Sequence, residues 1–90
     1  MVSFYSKYSS FDDFYDTMFR GNEIEFKYDD KLYYVLPYFH DNEISGIMFG
    51  ESAKEQNKIC LTKNELYYAD IGDSFFGEIL SDIDIVWCNM

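Results

Sequence analysis

The sequence predicts an α+β fold: an N-terminal helix, an antiparallel meander of three to four strands, then short C-terminal helices and a possible last strand. Three observations carry that prediction. Phe11, Phe14, Tyr15, Met18 and Phe19 recur at i, i+3, i+4, i+7 and i+8, the apolar stripe of a helix. In Glu23-Ile24-Glu25-Phe26-Lys27-Tyr28, apolar residues alternate strictly with charged ones, as on a strand with one buried face. Asp29-Asp30-Lys31 then turns the chain into Leu32-Tyr33-Tyr34-Val35-Leu36, which completes a hairpin. Ninety residues suit a single domain, residues 1–90, and no repeat, low-complexity tract or linker interrupts it.

The helix is expected from about Ser10 to Arg20, with Ser9 or Ser10 as N-cap and Gly21 at the left-handed C-cap position. Asp12 and Asp13 in its first turn suit the helix dipole, while Asp12 and Asp16 repel across one turn at a cost of ~0.2–0.5 kcal/mol. The return strand is apolar on both faces, which points to a central position or a contact surface. Pro37 is expected to end its ladder or mark an edge. His40-Asp41-Asn42-Glu43 reads as a turn and Ile44 to Gly50 as a third strand. Glu51 to Lys58 is polar and reads as a loop. Ile59-Cys60-Leu61 fits either a short strand or the lead-in to a helix. Thr62-Lys63-Asn64-Glu65 matches a capping box and predicts a short helix to about Ala69. Ile71-Gly72-Asp73 breaks it, and Asp73 or Ser74 is placed to cap another short helix through Leu80. Ile83, Ile85 and Trp87 alternate with Asp82, Asp84 and Val86, as in a last strand or an extended tail packed on the sheet. The helices are expected to cover one sheet face.

Seventeen acidic residues stand against seven basic ones, a formal net charge of −10. That balance excludes a nucleic-acid binder that works by neutralising phosphates. It also argues against docking on anionic membranes. Hydrophobic residues at 48% and aromatics at 21% exclude an acidic disordered tail. The longest apolar run, Leu32 to Phe39, is too short to cross a bilayer, and the N-terminus does not read as a signal peptide. Cys60 and Cys88 belong to no CxxC pair, as expected of reduced thiols in a cytoplasmic protein.

Catalytic and metal chemistry find little purchase. His40 is the single histidine, and no spacing matches a zinc site. Asp70-x-x-Asp73 and Asp82-x-Asp84 do not reproduce a calcium loop, and no glycine-rich phosphate loop is present. Both cysteines follow large apolar residues and read as buried small hydrophobes. No cofactor, metal or catalytic residue is expected. The acidic pattern is more informative. Glu23 and Glu25 share a strand face at about 6.6–6.8 Å, close to the spacing of neighbouring phosphates. Asp29 and Asp30 extend that line, and Asp12, Asp13 and Asp16 form a second row if helix and strand are adjacent. The nine tyrosines exceed what a small core absorbs, so an exposed Tyr33 or Tyr38 is expected as an apolar anchor.

Gly21-Asn22-Glu23-Ile24-Glu25-Phe26-x-Tyr28 follows an aromatic helix and leads into a tyrosine-rich strand. Then come Asn64-Glu65-Leu66, an Ile-Gly-Asp turn, Ile79-Leu80-x-Asp82-Ile83 and a late tryptophan. From Phe11 to Trp87, this order resembles a group of small acidic proteins from phages, prophages and mobile elements of low-GC Gram-positive bacteria. The chain departs from that pattern at Ile71-Gly72-Asp73, where the group is closer to Ile-Asp-Gly-Lys. Small acidic proteins of this mobile pool include inhibitors of bacterial defence nucleases, the anti-CRISPR proteins, so the resemblance implies an anti-defence role and transfers no catalytic residue.

Charge and resemblance together set the functional expectation. It is a cytoplasmic, non-enzymatic inhibitor that binds a basic nucleic-acid-binding protein, such as a CRISPR effector nuclease, by acidic mimicry of DNA. The expected partner-binding residues are Glu23, Glu25, Asp29 and Asp30, supported by Asp12, Asp13 and Asp16 and anchored by Tyr33 or Tyr38. No direct binding to nucleic acid or membrane is expected. Two alternatives stay open: an immunity protein or antitoxin that blocks a basic toxin, and a structural module that assembles through its tyrosines. The oligomeric state is open as well.

Overall fold

A computed structural model describes residues 2–89. Strand β1 (Val2–Ser3) leads into a single helical turn, α1 (Phe4–Lys7), and then helix α2 (Phe11–Met18). The meander follows as β2 (Ile24–Tyr28), β3 (Lys31–His40), β4 (Glu43–Glu51) and β5 (Asn57–Cys60). After helix α3 (Lys63–Tyr67) come a miniature hairpin, β6 (Asp70–Ile71) with β7 (Ser74–Phe75), and two 3-10 turns, Phe76–Glu78 and Leu80–Asp82. Strand β8 (Asp84–Cys88) closes the fold. The main sheet is antiparallel throughout, in the order β1-β8-β2-β3-β4-β5. The α+β class with helices over one sheet face is as the sequence predicts.

Local chemistry explains the element ends. Ser10 Oγ accepts the Asp13 N–H at 3.1 Å, and the Asp13 carboxylate accepts the Ser9 N–H at 2.9 Å, a reciprocal cap at the start of α2. Gly21, at φ +94°, carries the chain out of the helix. At α3, Thr62 Oγ1 accepts the Glu65 N–H at 3.1 Å, while the Glu65 carboxylate reaches back to the Leu61 N–H at 3.3 Å. Both long hairpins turn on two left-handed residues, Asp29-Asp30 (φ +52° and +62°) and Asp41-Asn42 (φ +51° and +66°). Asp and Asn tolerate that conformation better than other side chains, and it matches the twist of the flanking strands.

Two expectations are corrected. The second strand does not stop at Pro37: β3 runs on to His40, with Pro37 opposite Ile47 of β4. β2 ends at Ile24, opposite Val35, so on that side Pro37 lies at a local edge, the other of its two expected roles, and its missing N–H breaks no ladder there. No α-helix forms from Ser74 to Leu80. Ser74 and Phe75 pair with Ile71 and Asp70, and the Phe76 N–H donates to the Ala69 carbonyl at 2.9 Å, so the segment is tied into a hairpin first. Of the two readings of the terminal segment, the last strand is the one that forms: β8 is inserted between β1 and β2. The N-terminal pieces β1 and α1 lie outside what the sequence pattern revealed.

The core is aromatic. Phe26 stacks on Tyr33 at 5.4 Å and on Phe76 at 5.4 Å. Phe14 meets Phe4 at 5.3 Å, Tyr8 at 5.0 Å and Phe76 at 5.9 Å. Each such ring pair adds roughly 0.5–1.5 kcal/mol beyond area burial. Ile24, Phe26, Tyr33, Val35, Ile47 and Phe49 form the sheet's inner face under the helices.

Candidate functional site

The other face of the sheet is bare. Its side chains follow from period-2 alternation: Glu25 and Lys27 on β2, Leu32, Tyr34, Leu36 and Tyr38 on β3, Met48 on β4, Ile59 on β5. Leu32 and Ile59 are exposed, and Tyr34, Leu36, Tyr38 and Met48 are half-buried. Trp87 joins them, 46% exposed. The spacing of Ile83, Ile85 and Trp87 predicts one shared face, but the ladder between β8 and β2 contains a bulge. Phe26 pairs with Ile85, whereas its neighbour Glu25 pairs with Trp87, so Val86 is an extra residue. One inserted residue reverses the parity of everything after it. Ile85 therefore points into the core and Trp87 onto the open face.

The register aligns a row across four strands: Trp87, Glu25, Tyr34 and Gly50. Tyr34 lies down over Gly50; a Cβ on that glycine would sit 2.6 Å from the Tyr34 hydroxyl. With the ring folded toward β4, space opens above Glu25. The result is a cleft of about 530 Å³ whose lining includes Glu23, Glu25, Tyr34, Leu36, Met48 and Trp87.

Of the expected carboxylates, Glu23 and Glu25 share this face and cleft. Asp29 and Asp30 sit exposed at the β2–β3 tip, with Lys27 between them and Glu25 along the strand. The three helix carboxylates do not join that line. α2 packs through Phe14 and Met18 on the inner face, so the sheet separates its aspartates from Glu25. Asp12 is also matched by Lys63 at 3.0 Å, and Asp13 is occupied by the Ser9 N–H. Among the described residues the carboxylates of Asp16, Glu23, Glu25, Asp29 and Asp30 make no ion pair. Every acidic side chain of the protein is at the surface, since Thr17 is the sole buried polar or charged residue described.

The tyrosine expectation needs correction. Tyr33 is no exposed anchor: it is 5% accessible and stacks on Phe26 and Phe49, and burial raises its phenol pKa, helped by the nearby Glu51 carboxylate. Tyr38 is half-buried on the open face. Tyr34 and Trp87 are the aromatics of this face that the expected anchors leave out, although adjacency on one strand already puts Tyr33 and Tyr34 on opposite faces. Counting outward from the two-residue Asp29-Asp30 turn would have placed Tyr33 opposite Phe26, hence inward, and Tyr34 outward. The bulge that turns Trp87 out leaves no such signal.

A second cleft, about 380 Å³, lies between the β4–β5 connection and the β6–β7 hairpin. Its charges, Glu51, Lys54, Lys58 and Asp70, are of both signs, and Lys54 meets Glu51 at 3.8 Å. Neither cysteine is bridged: Cys60 is buried, which raises its thiol pKa, and Cys88 is half-buried. His40 and Asp41 approach to 3.4 Å in an exposed turn. No group of three or more metal-ligating side chains converges among the described residues, and no helix there is long and apolar enough to cross a membrane. Comparison with protein-family models, with characterised proteins and with solved structures finds no match to the chain.

Proposed function

We propose that this protein is a non-catalytic inhibitor that occupies the nucleic-acid site of a basic partner. Its carboxylates stand in for phosphates, and its open sheet face supplies apolar contact. One observation carries the reading: a net charge of −10, held entirely at the surface, borders an uncovered sheet face with exposed Trp87. A basic groove attracts such an array over long range and exchanges its counterions for the carboxylates. The resemblance to small acidic phage and mobile-element proteins makes a defence nuclease of the CRISPR effector type the sharpest version, acting in the bacterial cytoplasm. The working carboxylates are Glu23, Glu25, Asp29 and Asp30, which are free of internal ion pairs among the described residues. Asp12 and Asp13 are engaged within the fold and contribute field more than contact.

The same electrostatics serve an immunity protein or antitoxin, which a toxin gene beside this one would indicate. A tyrosine-mediated oligomer has less support, because Tyr33 is spent in the core. The test is capture of partners from host lysate at low salt, repeated at high salt. Capture should fall steeply with salt, and the Glu23→Lys, Glu25→Lys double variant should abolish it. A partner held equally at both salts would end the mimicry reading.

A further inference from the structure

The cleft above Glu25 is more selective than bulk negative charge. A carboxylate sits in register between two aromatic residues, Trp87 on β8 and Tyr34 on β3, which flank β2. Strands lie about 4.8 Å apart, so the two aromatics start roughly 9–10 Å from each other. Tyr34 leans away over Gly50, which keeps the gap open. Glu23 adds a second carboxylate at the cleft's end, and Leu36 and Met48 line the next stretch as an apolar shelf. Neither glutamate has an ion-pair partner among the described residues.

We propose that this cleft receives an arginine side chain of a basic protein partner. This assignment rests on the reading that the partner is basic. The guanidinium plane stacks on the Trp87 indole, its N–H fork donates to the Glu25 carboxylate, and its methylene stem lies along Leu36 and Met48. A lysine ammonium satisfies the charge but has neither the flat face nor the paired donors. A second copy of this chain fits poorly, since it would bring another Glu23 and Glu25 against the first pair.

Trp87 is the single tryptophan, so its fluorescence reports the cleft directly. The purified protein is titrated with hexa-arginine and with hexa-lysine at one fixed salt concentration. The arginine peptide should shift Trp87 emission saturably and bind about fivefold or more tighter than the lysine peptide. By calorimetry, Glu25→Gln and Trp87→Leu should each weaken hexa-arginine about tenfold, while Asp16→Asn, on the far side of the sheet, stays within about twofold. Thermal melts establish that the variants fold, and Glu25→Gln preserves side-chain shape if Trp87→Leu does not. Equal affinity for the two peptides, or indifference to Glu25→Gln, overturns the arginine site. So does a dimer in native mass spectrometry that buries Trp87 and excludes the peptide. The broader mimicry reading fails separately, through salt-insensitive capture of its partner.

Discussion

Tyr33 and Tyr34 are adjacent, chemically identical and on opposite faces of one strand. Tyr33 is stacked on Phe26 and Phe49 and closed off from water. Tyr34 lies over a glycine with no ring partner among the described residues, at the edge of an open cleft. Ile85 and Trp87 repeat the contrast on β8, one buried and the other exposed. The inner face spends its aromatics on holding a 90-residue domain together. The outer face leaves Tyr34 and Trp87 without a ring partner among the described residues, which suits the partner-binding role proposed for it. Substitutions should therefore separate the faces: inner ones cost stability, outer ones cost binding.

The largest effect belongs to the inner face. Phe14 touches Phe4, Tyr8, Phe11 and Phe76, linking α1, α2 and the first 3-10 turn. Phe14→Ala should lose about 3–5 kcal/mol in denaturant unfolding, enough to unfold much of a small domain. Gly77→Ala comes next. A Cβ there runs into the face of the Tyr67 ring, and Tyr67 is itself held edge-on by Phe11 at 5.2 Å and by Tyr68 at 4.8 Å. With the ring confined, the clash should cost about 1–3 kcal/mol, read as a lower melting temperature.

These contrasts also mark how far the sequence could be read. Features set by neighbours within a few residues were legible: the Ser10 and Thr62 caps, the α2 stripe, the alternation of β2 and its paired glutamates. Features set by distant pairing were not. Pro37 passes inside a strand only because β2 is too short to meet it there. Trp87 changes face because of one bulge against β2. Phe76, Ile79 and Leu80 are buried as a helix would bury them, yet the β6–β7 hairpin holds their segment in 3-10 turns. The acidic residues were easy to find and hard to group, since composition does not say that the sheet separates Asp16 from Glu25.

A smaller effect tests a buried hydroxyl in the core. Tyr8 is 2% accessible, and its hydroxyl has no hydrogen-bond partner among the described residues. Tyr8→Phe should raise stability at neutral pH by about 1 kcal/mol, because it deletes an unsatisfied polar group. Burial, with the Cys88 and Asp13 groups nearby, pushes the Tyr8 phenol from 10.0 up to about 12. Below pH 10 it is neutral in both states and adds no pH dependence. Between pH 10 and about 12 the unfolded chain releases the proton first, so stability falls as pH rises. Unfolding curves at pH 8 and pH 11 should show a drop that Tyr8→Phe reduces; Tyr15 and Tyr33, also raised by burial, keep it from vanishing.

The smallest expected change in stability is the sharpest probe of the outer face. Gly50→Ala places a methyl group against the Tyr34 hydroxyl, as Gly77→Ala does against Tyr67. The two differ in what surrounds the ring. Tyr34 borders solvent and can lift, and alanine in a strand recovers backbone entropy that glycine forfeits. Stability should therefore move by less than about 0.5 kcal/mol in denaturant unfolding. The lifted ring, however, swings back over Glu25 and fills the cleft. Hexa-arginine affinity should drop to the lysine level in a protein whose net charge and melting temperature are unchanged. If Gly50→Ala destabilised the protein as much as Gly77→Ala, the open face would be part of the fold's packing, and the division between the two faces would fail.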